Sequence, residues 1–216
     1  MRDSNIKNLV IVGGGTAGWM SAAALSRIIG TQTCKVTLIE SKEIGTVGVG
    51  EATIPPIVEF NNLLGIKSDE MIRETNGTFK LGIEFINWGK IGDSYMHPFG
   101  SFGRTILNVS FWHYWKKAFD LGISPGLKAY SLNWLAAKEN RFFRGAEIPN
   151  SPLSKIPHAY HFDANLYANY LRKFSENLGV NRIEGNVKDV IQNSESGFIE
   201  ELRLVNGSVI KGDFFI

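Results

Sequence analysis

K-N-L-V-I-V-G-G-G-T-A-G, residues Lys7 to Gly18, carries an apolar run straight into a glycine cluster. Leu9 to Val12 reads as a strand. Gly13, Gly15 and Gly18 stand at G-x-G-x-x-G spacing, and each has a physical task in a strand–turn–helix. Gly13 permits the tight turn out of the strand, Gly15 leaves room for a pyrophosphate, and Gly18 lets the helix approach the sheet. The free N–H groups and positive dipole end of the following helix suit phosphate. Thr16 to Ile29 supplies that helix, with Ala17, Met20, Ala24, Leu25 and Ile28 at helical spacing and Gly30 as a stop. A second strand, Val36 to Ile39, ends in Glu40. That acid lies about 20 residues past the last glycine, where a carboxylate binds ribose hydroxyls. A nucleotide-binding βαβ unit is the reading these parts support together, over a plain βαβ unit.

The rest of the composition narrows the class. The chain has 216 residues, 44% hydrophobic and 20% charged, as expected of a globular protein. A net charge of +2 is too small to argue for nucleic acid or an anionic membrane. One cysteine, Cys34, excludes an internal disulfide and suggests a reducing compartment. The polar start M-R-D-S-N and the lack of a long apolar run predict a cytoplasmic protein. No residues stand at metal-ligand spacing, so no metal is expected.

Outward from the glycine turn, Ser41 to Gly50 is a loop with glycines at 45, 48 and 50. Pro55 and Pro56 fit the first turn of a helix capped by Thr53 and closed by Gly65. Ser68 to Glu74 reads as a short helix with Ser68 as cap. Alternation from Thr78 to Trp88 predicts one strand. It places Phe79, Leu81, Ile83 and Phe85 on one face, and Lys80, Gly82 and Glu84 on the other. From pattern alone that second face is a solvated one. Gly89 to Gly103 is expected to be a loop holding Y-M-H-P-F-G (95–100). Residues 110–119 predict a helix whose Trp112, Trp115 and Phe119 serve packing, and Leu121 to His158 reads as irregular. Asp163 caps a helix running to Leu178, with Leu166, Tyr170, Leu171, Phe174 and Leu178 as its apolar stripe and Gly179 as its end. Strands follow at Arg182–Glu184, Val187–Gln192, Phe198–Val205 and Val209–Lys211, with Asn206–Gly207 as a hairpin turn. The final Asp213-Phe-Phe-Ile216 reads as a strand that stops without a turn.

In this order, V-G-G-G-T-A-G-W-M (12–20), L-I-E-S (38–41), V-G-V-G-E-A-T-I-P (47–55), N-G-T-F-K (76–80), F-I-N-W (85–88), H-P-F-G (97–100) and A-Y-H-F-D-A (159–164) span the chain. It resembles the amino-terminal part of the flavin-dependent halogenases of the tryptophan halogenase type. The family's W-x-W-x-I-P signature does not occur, and the chain is expected to be a truncated or partial halogenase. The resemblance implies an α/β, Rossmann-like FAD-binding fold of the flavin monooxygenase and halogenase type, with an inserted aromatic-rich substrate region. Its parts would be a first FAD-binding portion at 1–75, the inserted substrate and tunnel region at 76–158, and a return to the FAD-binding domain at 159–216.

The resemblance also assigns residues. Gly13, Gly15, Thr16, Ala17 and Gly18 would hold the FAD pyrophosphate, and Glu40 the ribose. Gly50, Glu51, Ala52 and Thr53 would approach the flavin, and the Val187 backbone would meet the adenine. Lys80 matches the catalytic lysine, which receives hypohalous acid made from reduced flavin, oxygen and chloride or bromide, and directs the halogen to an aromatic ring. His97 and Phe99 match positions lining the aromatic substrate. Reduced FAD would come from a separate flavin reductase, and homodimerisation is left open. A flavin monooxygenase and an inactive FAD-binding fragment are the alternatives.

Overall fold

The computed structural model describes residues 5–43, 50–145, 148, 151, 153–154 and 156–216. Its first elements follow the glycine turn: strand β1 (Asn8–Val12), helix α1 (Thr16–Ile28) and strand β2 (Lys35–Glu40). Next come β3 (Gly50–Ala52), α2 (Pro56–Leu64) and α3 (Ser68–Glu74). The middle holds β4 (Thr78–Lys80), β5 (Gly82–Ile86), β6 (Ser94–Pro98), α4 (Phe111–Asp120), a 3-10 turn at Leu127–Tyr130 and α5 (Leu132–Lys138). The last third holds β7 (Ala159–Asp163), α6 (Ala164–Asn177), β8 (Asn181–Glu184), β9 (Val187–Gln192), β10 (Ile199–Leu204), β11 (Val209–Lys211) and β12 (Phe214–Phe215). No helix among the described residues is long and apolar enough to cross a membrane. Glycines 45 and 48 of the expected loop lie outside the described residues.

The chain divides into two compact units, residues 1–51, 61–77 and 162–216 in one, and 52–60 and 78–161 in the other. The first is built on a parallel sheet in the order β12-β1-β2-β8. Leu9, Val10, Ile11, Val36, Leu38 and Ile39 are all buried, the near-continuous apolar pattern of a sheet covered on both faces. An antiparallel sheet, β11-β10-β9, covers one face, packing Leu202 and Leu204 with Val10 and Ile39. The last residues complete an edge: Ile216 N donates to Val10 O at 2.9 Å, and Val12 N donates to Ile216 O at 2.9 Å. Asp213 fixes the entry to that strand by accepting from the backbone N–H groups of Lys7 (2.9 Å) and Asn8 (2.7 Å). Those donors favour its charged form and lower its pKa.

Helices α1 and α6 are in the first unit and pack on each other. Their inner faces differ from the expected stripes. Trp19, Ala22, Ala23 and Ser26 are buried on α1, and Ala164, Tyr167, Ala168, Leu171 and Ser175 on α6. Ile28 is exposed, while Leu166, Tyr170, Phe174 and Leu178 are only half-buried. Small residues let the two backbones approach, and ranking by hydrophobicity alone misses them. The α6 cap is as expected: Leu166 N donates to Asp163 Oδ1 at 2.9 Å. On α3, Lys67 occupies the N-cap and Ser68 is already helical, which corrects the expected cap.

In the second unit the alternating run from Thr78 is two strands, not one. β4 pairs antiparallel with β7, Lys80 opposite Ala159, while β5 pairs antiparallel with β6, Ile83 opposite His97. Leu81 is the break, so Lys80 and Glu84 do not share a strand face. Y-M-H-P belongs to β6 rather than to a loop, and α5 interrupts the stretch expected to be irregular. Asn133 on α5 ties the break down, donating through Nδ2 to Leu81 O (3.1 Å) and Pro157 O (2.7 Å). Thr53 does not cap α2. Its hydroxyl donates to Tyr160 O (2.8 Å) and accepts from Tyr160 N (3.0 Å). On α4, Trp115 stacks on Phe119 (5.0 Å) and lies tilted against Trp112 (4.9 Å), so these rings pack on one another.

Candidate active site

The glycine turn sits at the carboxyl end of β1. Gly13 adopts φ of +122° and donates its N–H to Ile39 O at 2.8 Å, a conformation open to glycine. A Cβ on Gly18 would fall 1.9 Å from the Gly13 carbonyl oxygen, so the helix reaches the turn only because residue 18 is bare. A Cβ on Gly15 would meet nothing within 4 Å, which leaves open space where a phosphate would lie. Gly15 is also the N-cap of α1, and Thr16, Ala17 and Gly18 form its first turn, with orphan N–H groups.

A cavity of about 280 Å³ opens here, lined by Gly13, Gly14, Gly15, Glu40, Asn186 and Val187 among others. Four residues expected at the nucleotide from distant parts of the sequence, Gly13, Gly15, Glu40 and Val187, thus share one cavity. Asn186 donates through Nδ2 to Glu43 Oε2 at 2.6 Å, while its buried Oδ1 has no partner among the described residues. A buried acceptor without a protein donor suits the amino group of a bound base. The bare turn, the helix end, the carboxylate and this acceptor fit an adenine dinucleotide.

Sequence reasoning missed the neighbours of Glu40. Arg182 of β8 donates through Nε to Glu40 Oε1, Arg172 of α6 approaches the same oxygen at 3.5 Å, and Trp19 Nε1 donates to Oε2 at 3.1 Å. The Glu40 carboxylate raises the Arg182 pKa further. A signal existed: a charge inside a strand of a covered parallel sheet needs a countercharge.

In the second unit, Lys80 is 7% exposed, and its Nζ donates to the Thr53 carbonyl oxygen at 2.9 Å. It lines a cavity of about 390 Å³ with Phe79, Met96, Arg141, Phe142 and His161. Phe79 and Phe142 stack there with centroids 4.0 Å apart. The Phe99 ring lies 5.6 Å from Lys80 Nζ, within cation–π range. Burial lowers the Lys80 pKa from its usual value. His161 is lowered too, first by burial and then by the charge of Lys80. Among the described residues Lys80 has no carboxylate partner. Glu84 is engaged elsewhere, by Lys138 at 2.9 Å and Ser94 at 3.1 Å, and these donors lower its pKa.

His97 is exposed and stands opposite Ile83, on the other face of the β5–β6 ladder from Met96. It does not share the Lys80 cavity, whereas Phe99 contacts Lys80 directly. Gly50, Glu51 and Ala52 form β3 and are not among the residues that line the glycine-turn cavity. No cluster of metal-ligating side chains occurs among the described residues.

The parallel sheet and the glycine turn together define a Rossmann-like α/β fold. Comparison with known proteins refines the class. Residues 8–216 match the tryptophan halogenase family. The chain is 36% identical to tryptophan 7-halogenase RebH of Lentzea aerocolonigenes, over 98% of this chain and 42% of RebH. Among solved structures, Xcc4156, a flavin-dependent halogenase from Xanthomonas campestris, superposes with a TM-score of 0.89 at 46% identity, covering 98% of this chain and 41% of that one. BrvH, a flavin-dependent halogenase from Brevundimonas sp. BAL3, gives 0.90 at 41% identity, covering 99% and 42%. The chain belongs to the tryptophan halogenase family, and it spans well under half the length of these relatives.

Proposed function

We propose that this chain is the amino-terminal part of an FAD-dependent halogenase acting on an aromatic substrate such as an indole, with Lys80 as the catalytic residue. The observation that carries the reading is the Lys80 amine, buried, tied to a backbone carbonyl and facing an aromatic-lined cavity. A lysine with no other purpose would extend its head into water.

Gly13, Gly15, Thr16, Ala17 and Gly18 would hold the FAD pyrophosphate through backbone N–H groups and the helix end. Glu40 would hold the ribose and the Val187 backbone the adenine, while Gly50, Glu51, Ala52 and Thr53 would lie toward the flavin. When bound and reduced, FAD supplies with oxygen and chloride or bromide the oxidised halogen, as hypohalous acid. Lys80 donates one N–H to Thr53, which aims the nitrogen and leaves its remaining valences for that oxidant. As an ammonium it polarises the hypohalous acid by a hydrogen bond. As an amine, favoured by the lowered pKa, it displaces water and takes the halogen as a haloamine. Both routes place an electrophilic halogen at Nζ. Phe99 would stand on the substrate side, and an aromatic face there keeps a flat substrate in one orientation.

A separate flavin reductase would supply reduced FAD, and the cytoplasm is the place we assign. We expect the 216-residue chain alone to be inactive, because relatives supply more than half their length from elsewhere. The test is the complete enzyme, read from the gene past codon 216, given reduced FAD, oxygen, bromide and a panel of indoles. Brominated indole supports the reading. FAD binding with no brominated product from any indole contradicts it.

A further inference from the structure

The Glu40 carboxylate accepts from donors on three separate elements before any ligand arrives. Arg182 of β8 and Arg172 of α6 reach Oε1, and Trp19 of α1 reaches Oε2. The Arg182 and Glu40 side chains are each 15% exposed. The β2–β8 register sets Leu38 opposite Arg182, so Arg182 and Glu40 are diagonal neighbours on one face of the sheet. Arg182 also reaches Glu184 through Nη2 at 3.4 Å, a two-ended use of the guanidinium that an ammonium cannot copy. On its other side the carboxylate lies against Gly14. A Cβ there would fall 1.8 Å from Glu40 Oε2 and 2.5 Å from Glu40 Cβ. Gly14 is one of the intervening positions of the G-x-G-x-x-G pattern, so the nucleotide motif does not explain it. The Glu40 side chain does.

We propose that Arg182 is a positioning residue for nucleotide recognition: with Trp19 and the bare Cα of Gly14, it fixes the Glu40 carboxylate in the orientation that receives a hydroxyl of the ribose diol of an adenine nucleotide. A carboxylate has about four lone-pair sites, and the protein fills three of them. The site left, on Oε2, is held at a fixed angle for a ribose hydroxyl, and a freely turning carboxylate receives it less well. A charge this enclosed also needs its countercharge to stay in place.

The inference rests on Glu40 as the ribose acid, and the experiment separates the two. Isothermal titration of the full chain compares ADP with 2′,3′-dideoxy-ADP, which differ only in the diol. In the parent, ADP should bind about tenfold more tightly, as expected for hydrogen bonds to a charged group. Arg182→Gln should erase most of that preference while changing affinity for the dideoxy nucleotide by no more than about twofold. Gly14→Ala, which displaces Glu40 while keeping Arg182, should lower the ratio of the two affinities too, whatever its effect on the dideoxy nucleotide, and that ratio decides the matter if Arg182→Gln unfolds. Arg182→Lys should restore only part of the preference. A merely structural arginine would weaken both nucleotides alike, and an unchanged ratio in Arg182→Gln and Gly14→Ala overturns the positioning role alone. A parent that binds both nucleotides equally, or neither, overturns the ribose reading beneath it.

Discussion

The Lys80 ammonium nitrogen lies 2.9 Å from the carbonyl oxygen of Thr53, and Thr53 in turn holds the backbone of Tyr160 through its hydroxyl. Strand β7 is thereby paired with β4 and also tied to the residue that aims the lysine. The amine is thus placed by backbone rather than by a countercharge. With no carboxylate partner among the described residues, and in a partly apolar cavity, this ammonium favours its neutral form more than a solvated lysine does.

The pH dependence of stability reports that burial. The Lys80 pKa is lowered from 10.5, so the unfolded chain holds this proton more tightly than the folded one. The cost is fully present below the lowered folded-state value and is relieved as pH rises to 10.5. Lys80→Met carries no such cost at any pH. Its stability relative to the parent should therefore fall as pH is raised from neutral toward that value, as read by urea denaturation. A difference that stays flat means the amine is solvated.

Two glycines of the turn should respond oppositely to a methyl group. Gly18→Ala would drive a Cβ to 1.9 Å from the Gly13 carbonyl. It should cost about 3 kcal/mol, the upper range for overpacking, because backbone must yield. Gly15→Ala meets nothing within 4 Å and should leave stability within about 0.5 kcal/mol. Its ADP affinity should still drop about tenfold, because the methyl enters the phosphate space and the N–H contacts are lost. Thermal melts and ADP titration of the two variants check the contrast.

Removing the α6 cap is a purely local change. Asp163→Ala deletes the acceptor for Leu166 N and should cost about 1 kcal/mol. In a chain of this size that is roughly 2–4 °C in Tm. Asp163→Asn keeps the acceptor and should recover most of it.

Phe99 contacts the Lys80 nitrogen with its ring. In the complete enzyme, Phe99→Ala should lower kcat/KM for an indole roughly tenfold, the order expected for one lost aromatic contact with its buried area. Phe99→Tyr should retain most of the activity. Steady-state product formation measures both.

Local chemistry made the glycine turn, β1, α1, β2 and the α6 cap legible in the sequence. Each is set by neighbours within a few residues: a bare Cα, a capping carboxylate, an apolar run. The failures have a common cause in long-range partners. Alternation continues unbroken from Phe79 to Phe85, yet β4 finds its partner at Tyr160 and β5 at Tyr95, and the pattern cannot report the change. The inner faces of α1 and α6 were misplaced because Ala22, Ala168 and Ser175 are buried for their size. Thr53 has the chemistry of a cap, but Tyr160 takes its hydroxyl from 107 positions away. Of the candidate site residues, Gly13, Gly15, Glu40 and Val187 meet in space, while Arg182 announced itself only as a charge inside a short strand. Lys80 read from pattern alone as a solvated residue. The resemblance singled it out, and its place is set by pairing with a strand nearly eighty residues downstream.

The most direct test compares the complete enzyme and its Lys80→Ala variant, each supplied with reduced FAD, oxygen, bromide and an accepted indole. Brominated product and the rate of flavin oxidation are followed in the same tube. The variant should lose product by at least about a hundredfold, the scale of a positioned catalytic group, while oxidising flavin at the parent's rate. A variant that brominates as fast as the parent would remove Lys80 from the chemistry and leave a nucleotide-binding fold without the role proposed for it.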